Sequence, residues 1–483
     1  MRVLFVASEV FPLVKTGGLA DVVGALPPAL ASLGLDVRVL VPGYPKVLDG
    51  LDVTGKVVRL GGLVGAGSAR LLYGRAGNLE LLVLDAPQLY ERPGNPYTGP
   101  DGRDWPDNHR RFGALCDAAA WLAGPEGGAE RWRPDVIHGH DWQSGLAPAY
   151  VALTEGRKKP ATITTVHNLA YQGVFSRDVM HELRLPPWTF DVQGVEYYGH
   201  LGFLKAGLWY SDKITTVSPT YARQIQTQTY GHGMEGLLKT RDADLHGILN
   251  GIDTAIWDPA TDPHIAARYD AGDPFPGKKL NKLAVQAAMG LARDPDAPLF
   301  CVISRLVTMK GLDLLLSAGT TLLRRGAQLA ILGSGEQKLE QGFDAAAAHF
   351  PGRVAVRHGY NEPLAHLLQA GSDAIVIPSR TEPCGLTQMY ALRYGTIPVV
   401  RRTGGLADSV VDANPQNLAT DRATGVLFDD PSPDAMAWAL GRTLDLHQHQ
   451  PLWQSMVRRA MAEDFGWTHS ARRYAALYQQ IAG

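Results

Sequence analysis

The chain has 483 residues, of which 45% are apolar and 19% charged. That composition supports a large buried core and excludes a disordered chain. Lys plus Arg (46) against Asp plus Glu (48) leaves a net charge of −2. This argues against a general nucleic-acid or anionic-membrane binder, while a local basic site for a small anion stays possible. No apolar run approaches the ~18 residues of a membrane span. The start, M-R-V-L-F-V-A-S-E, is too short in its apolar part for a signal peptide. Three widely spaced cysteines, Cys116, Cys301 and Cys384, read as those of a reduced cytoplasmic protein without disulfides.

Strand and helix patterns alternate along the chain. Arg2–Ser8 is a continuous apolar run, as in a parallel strand buried on both faces. A helix over Asp21–Leu33 and a strand at Asp36–Val41 follow. Val57–Val64, Leu71–Arg75 and Leu79–Asp85 read as an antiparallel insertion. Strands are then predicted at Asp135–Gly139, Thr162–His167 and Lys213–Ser218. A second series starts at Leu299–Leu306 and continues with Gln328–Leu332, Val354–Gly359, Ala374–Pro378 and Ile397–Val400, separated by helices over 311–325, 336–349, 361–370 and 385–394. Strand–helix alternation implies a doubly wound parallel sheet; two series imply two Rossmann-like α/β domains. The expected division is 1–246, a hinge at 247–262 with polar sequence to about 277, and 263–463. Ligands of open α/β sheets sit at the carboxyl ends of the strands, so the site is expected in the cleft between the domains. The last helix, 468–481, is amphipathic and reads as packing at the chain end.

Several loops carry chemistry. K-T-G-G-L-A-D-V (15–22) places Gly17 and Gly18 at a helix start with Lys15 beside them, either an anion site or a tight turn. It fits neither the dinucleotide fingerprint nor the P-loop. S-R-L-V-T-M-K-G (304–311) carries Arg305 and Lys310, either a diphosphate-neutralising pair or two surface cations. R-T-E-P-C-G-L-T-Q (380–388) follows a strand. Glu382 there is either a holder of hydroxyls or a helix-entry charge, and the amides of Cys384, Gly385 and Leu386 open the helix. The Cys384 side chain itself reads as a small buried hydrophobe. T-G-G-L-A-D (403–408) repeats the first loop type, with Gly404 and Gly405 as backbone donors or a plain turn. H-G-H-D-W-Q (138–143) offers two histidines and an acid but no third metal-ligand partner; Asp141 beside Trp142 also suits a sugar. His167 ends a strand and either points into the cleft or is structural. The triplets Asp242/Asp244 and Asp294/Asp296 read as solvated turns, so no metal site is expected.

Taken together, these blocks resemble the bacterial glycogen synthases and plastid starch synthases over nearly the whole chain. The resemblance rests on K-T-G-G-L-A-D-V-V-G-A-L-P (15–27), V-H-N-L-A-Y-Q-G (166–173), T-V-S-P-T-Y-A (216–222), Y-G-H-G-M-E-G-L-L (230–238), L-N-G-I-D (249–253), W-D-P-A-T-D (257–262), E-P-C-G-L-T-Q (382–388) and T-G-G-L-A-D (403–408). Four positions depart from the pattern: Thr381 stands where Phe is usual, Met309 where Gln is usual and Gln143 where His is usual. Tyr390 stands where related retaining transferases carry a second Glu.

The resemblance implies the GT-B fold, with the C-terminal helix 464–483 joined to the first domain. It implies retaining transfer of glucose from ADP-glucose to the nonreducing-end 4-hydroxyl of an α-1,4-glucan such as glycogen, releasing ADP. It further implies His167, Arg305, Lys310 and Glu382 as catalytic groups. Lys15, Gly17, Gly18, Asp21, Asn250, Tyr360, Cys384, Gly385 and Leu386 are implied on the donor, with Tyr360 on adenine. Tyr97, Asp141 and Trp142 are candidates for the acceptor side. No cofactor, metal, nucleic-acid or membrane partner is expected. Other readings are a transferase with a different acceptor and a glucan-binding protein without turnover, which would need no diphosphate site.

Overall fold

In a computed structural model of the chain, which describes residues 1–55, 57–124, 132–154 and 159–482, the backbone divides into two compact units. One is Met1–Gly251 with Trp467–Gly483, the other Ile252–Gly466. Arg2–Val6 (β1) pairs in parallel with Asp36–Pro42 (β2). Asp52–Val53 (β3), Val58–Leu63 (β4) and Gly67–Ala76 (β5) form an antiparallel group. Leu79–Asp85 (β6) does not belong to an insertion, contrary to the sequence expectation. It runs parallel to β2, with Leu40 beside Leu82, and only its other edge is antiparallel, to β5. The cause is visible in its residues: L-E-L-L-V-L-D is buried almost throughout, as a strand with both faces covered must be.

Val136–His140 (β7) and Ala161–Val166 (β8) pair on the far side of β1. Val174–Phe175 (β9), Glu196–Tyr197 (β10) and His200–Gly202 (β11) form a small antiparallel sheet. Lys213–Thr216 (β12) and Leu245–Gly247 (β13) complete the main sheet. Among the described residues that sheet has ten strands, ordered β13-β12-β8-β7-β1-β2-β6-β5-β3, with β4 on β5. The chain leaves β1 toward β2 and later returns to its other side at β7, so the order reverses between β1 and β7.

The second unit repeats the plan. Leu299–Ile303 (β14), Gln328–Leu332 (β15), Val354–Arg357 (β16), Ala374–Ile377 (β17), Ile397–Arg401 (β18) and Val426–Phe428 (β19) form a parallel sheet ordered β16-β15-β14-β17-β18-β19. Here the reversal lies between β14 and β17. The strand expected to reach Leu306 stops at Ile303, because Leu306 instead bridges to Gly335. The helix expected over 311–325 is two, Leu312–Ala318 and Thr320–Arg324, interrupted at Gly319. A helix at Pro274–Met289 opens inside the stretch read as linker, with Pro at its first turn. β19 and the helices Pro433–Gln448 and Gln450–Met461 were not anticipated.

The closing helix, Trp467–Ala482, buries Tyr474 and Tyr478 in the core of the first unit. In the second unit the W-D-P-A-T-D block is anchored by stacking. Trp257 lies between His366 (3.8 Å) and Tyr390 (3.9 Å), near-parallel to both. Asp262 accepts from Tyr394 and sits 2.7 Å from His366 Nδ1. Tyr390, at the position where related retaining transferases carry a second Glu, is thus a stacking platform. No described helix is long and apolar enough to cross a membrane.

Candidate active site

In the first unit, polar groups gather where the sheet order reverses. In open α/β sheets that point, at the carboxyl ends of the strands, is where a crevice for ligands forms. Glu9, just past β1, is buried. Its carboxylate accepts from Thr16 N–H, from Thr16 Oγ1 (2.5 Å) and from Gly17 N–H (3.3 Å), and the Tyr97 hydroxyl donates to it. Tyr97 also lies 2.9 Å from Ser8 Oγ. Burial, with the Glu9 charge, holds the Tyr97 hydroxyl well above the ordinary phenol range. Glu9 therefore grips the 15–18 loop from beneath. Gly17 N–H is directed inward, contrary to its expected use as a ligand donor, because Glu9 supplies the nearer anion. Among the described residues, nothing beyond the adjoining chain lies within 4 Å of where a Cβ would stand on Gly17 or Gly18, so their outer side is open. Lys15 is ion-paired with Asp21 at 2.7 Å.

Across the reversal, β7 ends in His138, His140 and Asp141. His138 is engaged at both nitrogens, 2.8 Å from Tyr478 Oη and 2.5 Å from Thr165 Oγ1. It ties the closing helix to the sheet. His140 Nδ1 lies 3.0 Å from His167 Nε2. Burial pushes His138 and His167 down to about 3, and His140 well below its ordinary value; all three rings are neutral. Asp141 adopts φ +56°, ψ −170°, a region that costs a side-chain-bearing residue about 1–3 kcal/mol. Its Oδ1 accepts from His167 N–H at 2.7 Å. Burial raises its carboxyl to about 7, against the His167 and Asn168 amides, which lower it. Trp142 packs against Phe112 (4.9 Å), Phe175 and Phe203; its ring is largely committed to the core. Asn250 is buried and its Oδ1 accepts no hydrogen bond among the described residues.

In the second unit the reversal between β14 and β17 brings together two of the sequence-predicted loops. Lys310 Nζ is 2.6 Å from Glu382 Oε2, and Ser379 Oγ donates to the same oxygen at 2.9 Å. Arg305 is exposed, with no side-chain partner among the described residues. The 304–311 loop is held by groups that sequence reasoning missed. Arg380 forks onto Asp313 (2.6 and 2.7 Å) and reaches Thr308 O. Glu336 accepts from Thr308 N–H and Oγ1. Gly311 has φ +68°, and a Cβ there would strike the Pro378 carbonyl. Only the R-x-E and G-S-G-E spacings hinted at these supports.

The two G-G-L-A-D loops differ in use. A Cβ on Gly404 (φ +44°) would strike the Glu382 carbonyl, and one on Gly405 the Cys384 carbonyl. Gly405 N–H donates to Glu382 O and Pro383 O, both 3.1 Å. This second loop is thus packed against the Glu382 turn and does not offer its Gly405 donor to a ligand. Glu382 is fixed by Lys310, Ser379 and this backbone contact. Cys384 is buried, as its type suggests, and Gly385 and Leu386 lead into the helix Thr387–Arg393. Tyr360 is exposed just past β16. Asp244 pairs with Lys213 and Arg241, and Asp294 accepts from its own turn. Among the described residues no group of three or more His, Cys, Asp or Glu is placed to hold a metal ion.

The starch synthase catalytic-domain family matches residues 2–240, and the glycosyl transferases group 1 family matches 289–460. The glycogen synthase of Acidiphilium cryptum is 54% identical over 481 residues, covering 100% of this chain and 99% of that one. The chain belongs to the glycogen synthase family. It is a glycosyltransferase, as the resemblance implied. The glycogen synthase of Roseobacter denitrificans is 53% identical over 483 residues, with both chains fully covered. The catalytic domain of starch synthase IV from Arabidopsis thaliana, bound to ADP and acarbose, superposes with a TM-score of 0.87 at 31% identity, covering 100% and 99% of the two chains. Sucrose-phosphate synthase from Thermosynechococcus elongatus, at TM-score 0.58 and 16% identity, shares the fold. The two Rossmann-like units of this glycogen synthase family member are those of GT-B enzymes.

Proposed function

We propose that this chain transfers glucose from ADP-glucose to the nonreducing-end 4-hydroxyl of an α-1,4-glucan with retention of the anomer. The observation that supports this most directly is the Lys310–Glu382 pair, with Arg305 on the same 304–311 loop exposed and without a side-chain partner among the described residues. A glucan-binding protein has no need of two cations at a strand-order reversal, whereas a departing diphosphate does.

The proposed roles follow from charge and geometry. Arg305 and Lys310 neutralise the diphosphate as the bond between glucosyl C1 and the phosphate oxygen breaks, with the Cys384, Gly385 and Leu386 amides aiding at the helix start. Glu382 takes sugar hydroxyls once Lys310 turns to phosphate. Lys15, released from Asp21, and Gly18 also serve the donor; Gly17 leaves open space for close approach. His167 holds a sugar hydroxyl and Asn250 Oδ1 accepts another. Tyr360 stacks on adenine. Asp141 meets the acceptor with Trp142 next to it in the chain, while Tyr97 holds Glu9 in place. Retaining glycosidases use a carboxylate nucleophile. Here Glu382 is given to the sugar hydroxyls and no carboxylate is left as a dedicated nucleophile, so the reaction is read as proceeding on one face. The departing phosphate oxygen takes the acceptor proton. Catalysis is then positioning and electrostatic stabilisation. No cofactor enters this scheme, and the reaction is read as cytoplasmic.

The test is initial rates with ADP-glucose and with UDP-glucose, glycogen as acceptor and EDTA present, beside Glu382→Ala. ADP release that persists in EDTA and collapses in the variant supports the reading. Glycogen binding without ADP release overturns it, and faster turnover of UDP-glucose overturns the donor assignment.

A further inference from the structure

His140 is wedged between aromatic neighbours. Its ring centroid lies 4.3 Å from that of His138, 4.9 Å from Phe5 and 5.3 Å from His167. The residue is fully buried. His140 Nδ1 meets His167 Nε2 at 3.0 Å. Its other nitrogen, Nε2, has no hydrogen-bond partner among the described residues. His138, behind it, is bound at both nitrogens and forms a fixed wall.

A neutral imidazole carries one N–H and one lone pair, so only two arrangements satisfy the His140–His167 contact. In the first, His140 donates from Nδ1 and its Nε2 is a buried lone pair. In the second, His167 donates from Nε2, His140 must carry its proton on Nε2, and a buried N–H is left without an acceptor. An orphaned buried donor is rarer than an under-satisfied acceptor and forfeits a hydrogen bond outright. The first arrangement is favoured.

We infer that His140 is a positioning residue for glucosyl transfer: by donating from Nδ1 to His167 Nε2 it fixes His167 as the tautomer protonated on Nδ1. His167 Nδ1 has no partner among the described residues, so it presents a hydrogen-bond donor to whatever sugar oxygen meets it. That oxygen must accept. This rests on the proposed sugar-holding role of His167 and adds to it the group that sets its proton. The second ring nitrogen of a functional histidine commonly does this.

The experiment is long-range 1H–15N NMR of the full chain labelled with 15N-histidine at neutral pH, with His167 assigned by its loss in His167→Gln. A protonated Nδ1 and bare Nε2 on His167 is the expected pattern; a protonated Nε2 overturns the inference. Kinetics supply a second readout. In His140→Asn the amide nitrogen takes the place of Nδ1 and keeps the donor; in His140→Leu the donor is gone. His140→Leu is expected to lose about ten- to hundredfold in kcat, with the KM for ADP-glucose moving less than about threefold, and His140→Asn to recover most of it. Equal losses in both variants, or none in the leucine variant, overturn the positioning role. Should the leucine variant fail to fold, the NMR pattern and the asparagine variant decide. Full activity in His167→Ala would instead remove the sugar-holding role and leave the tautomer result standing.

Discussion

Lys310 Nζ and Glu382 Oε2, 72 residues apart in the chain, lie 2.6 Å from each other at the strand-order reversal of the second unit. Each charge neutralises the other while no donor is bound. A diphosphate entering there offers Lys310 a stronger anion and frees Glu382 for hydroxyls. Lys310→Ala is expected to lower kcat about a hundredfold, some 3 kcal/mol, as for removal of one group that stabilises developing charge. Because Glu382 is left without its cation, the double variant Lys310→Ala/Glu382→Ala should fall well short of the summed losses. Additive losses in steady-state kinetics would show that the pair does not act as a unit.

Glu9 is the hidden support of the 15–18 loop, since Thr16 and Gly17 both donate to its carboxylate. Glu9→Ala leaves those groups without an ionised acceptor, at a cost of about 2 kcal/mol. The expected readout is a KM for ADP-glucose raised by more than about tenfold, with the circular dichroism spectrum unchanged. A normal KM would mean that the loop holds its shape unaided.

The paired glycine loops predict opposite substitution effects. Gly17 has φ −155° and open space around it. Gly17→Ala should keep the wild-type Tm and weaken donor binding, by filling the side a ligand approaches. Gly404, at φ +44° against the Glu382 carbonyl, has no room. Gly404→Ala should lower stability by about 2 kcal/mol or more, reducing both Tm and kcat. Thermal melts of the two variants check this directly.

Acid should destabilise the first unit. His138 and His167 are pushed down to about 3 and His140 well below its ordinary value, all chiefly by burial. As pH falls below about 6.5, the unfolded chain protonates these rings while the folded chain does not. Their stabilisation is full above that pH and is lost on the way down toward 3. Asp141, raised to about 7 by burial, works the other way, binding a proton in the folded state between about 4 and 7. Three histidines against one aspartate leave a net uptake of protons on unfolding. Each net proton gives a slope of about 1.4 kcal/mol per pH unit. Urea midpoints should therefore be lower at pH 5 than at pH 7.5, and less so in His138→Gln. A higher midpoint at pH 5 would contradict the burial of these rings.

Much of this was legible in the chain. Apolar runs of strand length separated by helical spacing declare two α/β series, because parallel strands buried on both faces need uninterrupted apolar residues. Blocks such as E-P-C-G-L-T-Q declare the family, because their residue types and order are specific. Local pattern could not tell that L-E-L-L-V-L-D at Leu79–Asp85 lies parallel to β2, since a strand's direction is set by its neighbours. It also could not tell apart the two G-G-L-A-D loops. Their letters are nearly alike, yet one faces open space and the other is packed against Glu382.

The amino-acid sequence by itself determined the class, the two-domain plan, the family and most of the charged residues proposed to act. Those depend on composition, periodicity and short motifs, which are local. Tertiary structure alone decided which charges meet and which are already spent. It bound Glu9 to the loop at Thr16, paired Lys15 with Asp21, engaged His138 with Tyr478 across 340 residues and set His140 against His167. Such contacts follow from the order of strands in each sheet, which brings the ends of β1 and β7, and of β14 and β17, side by side.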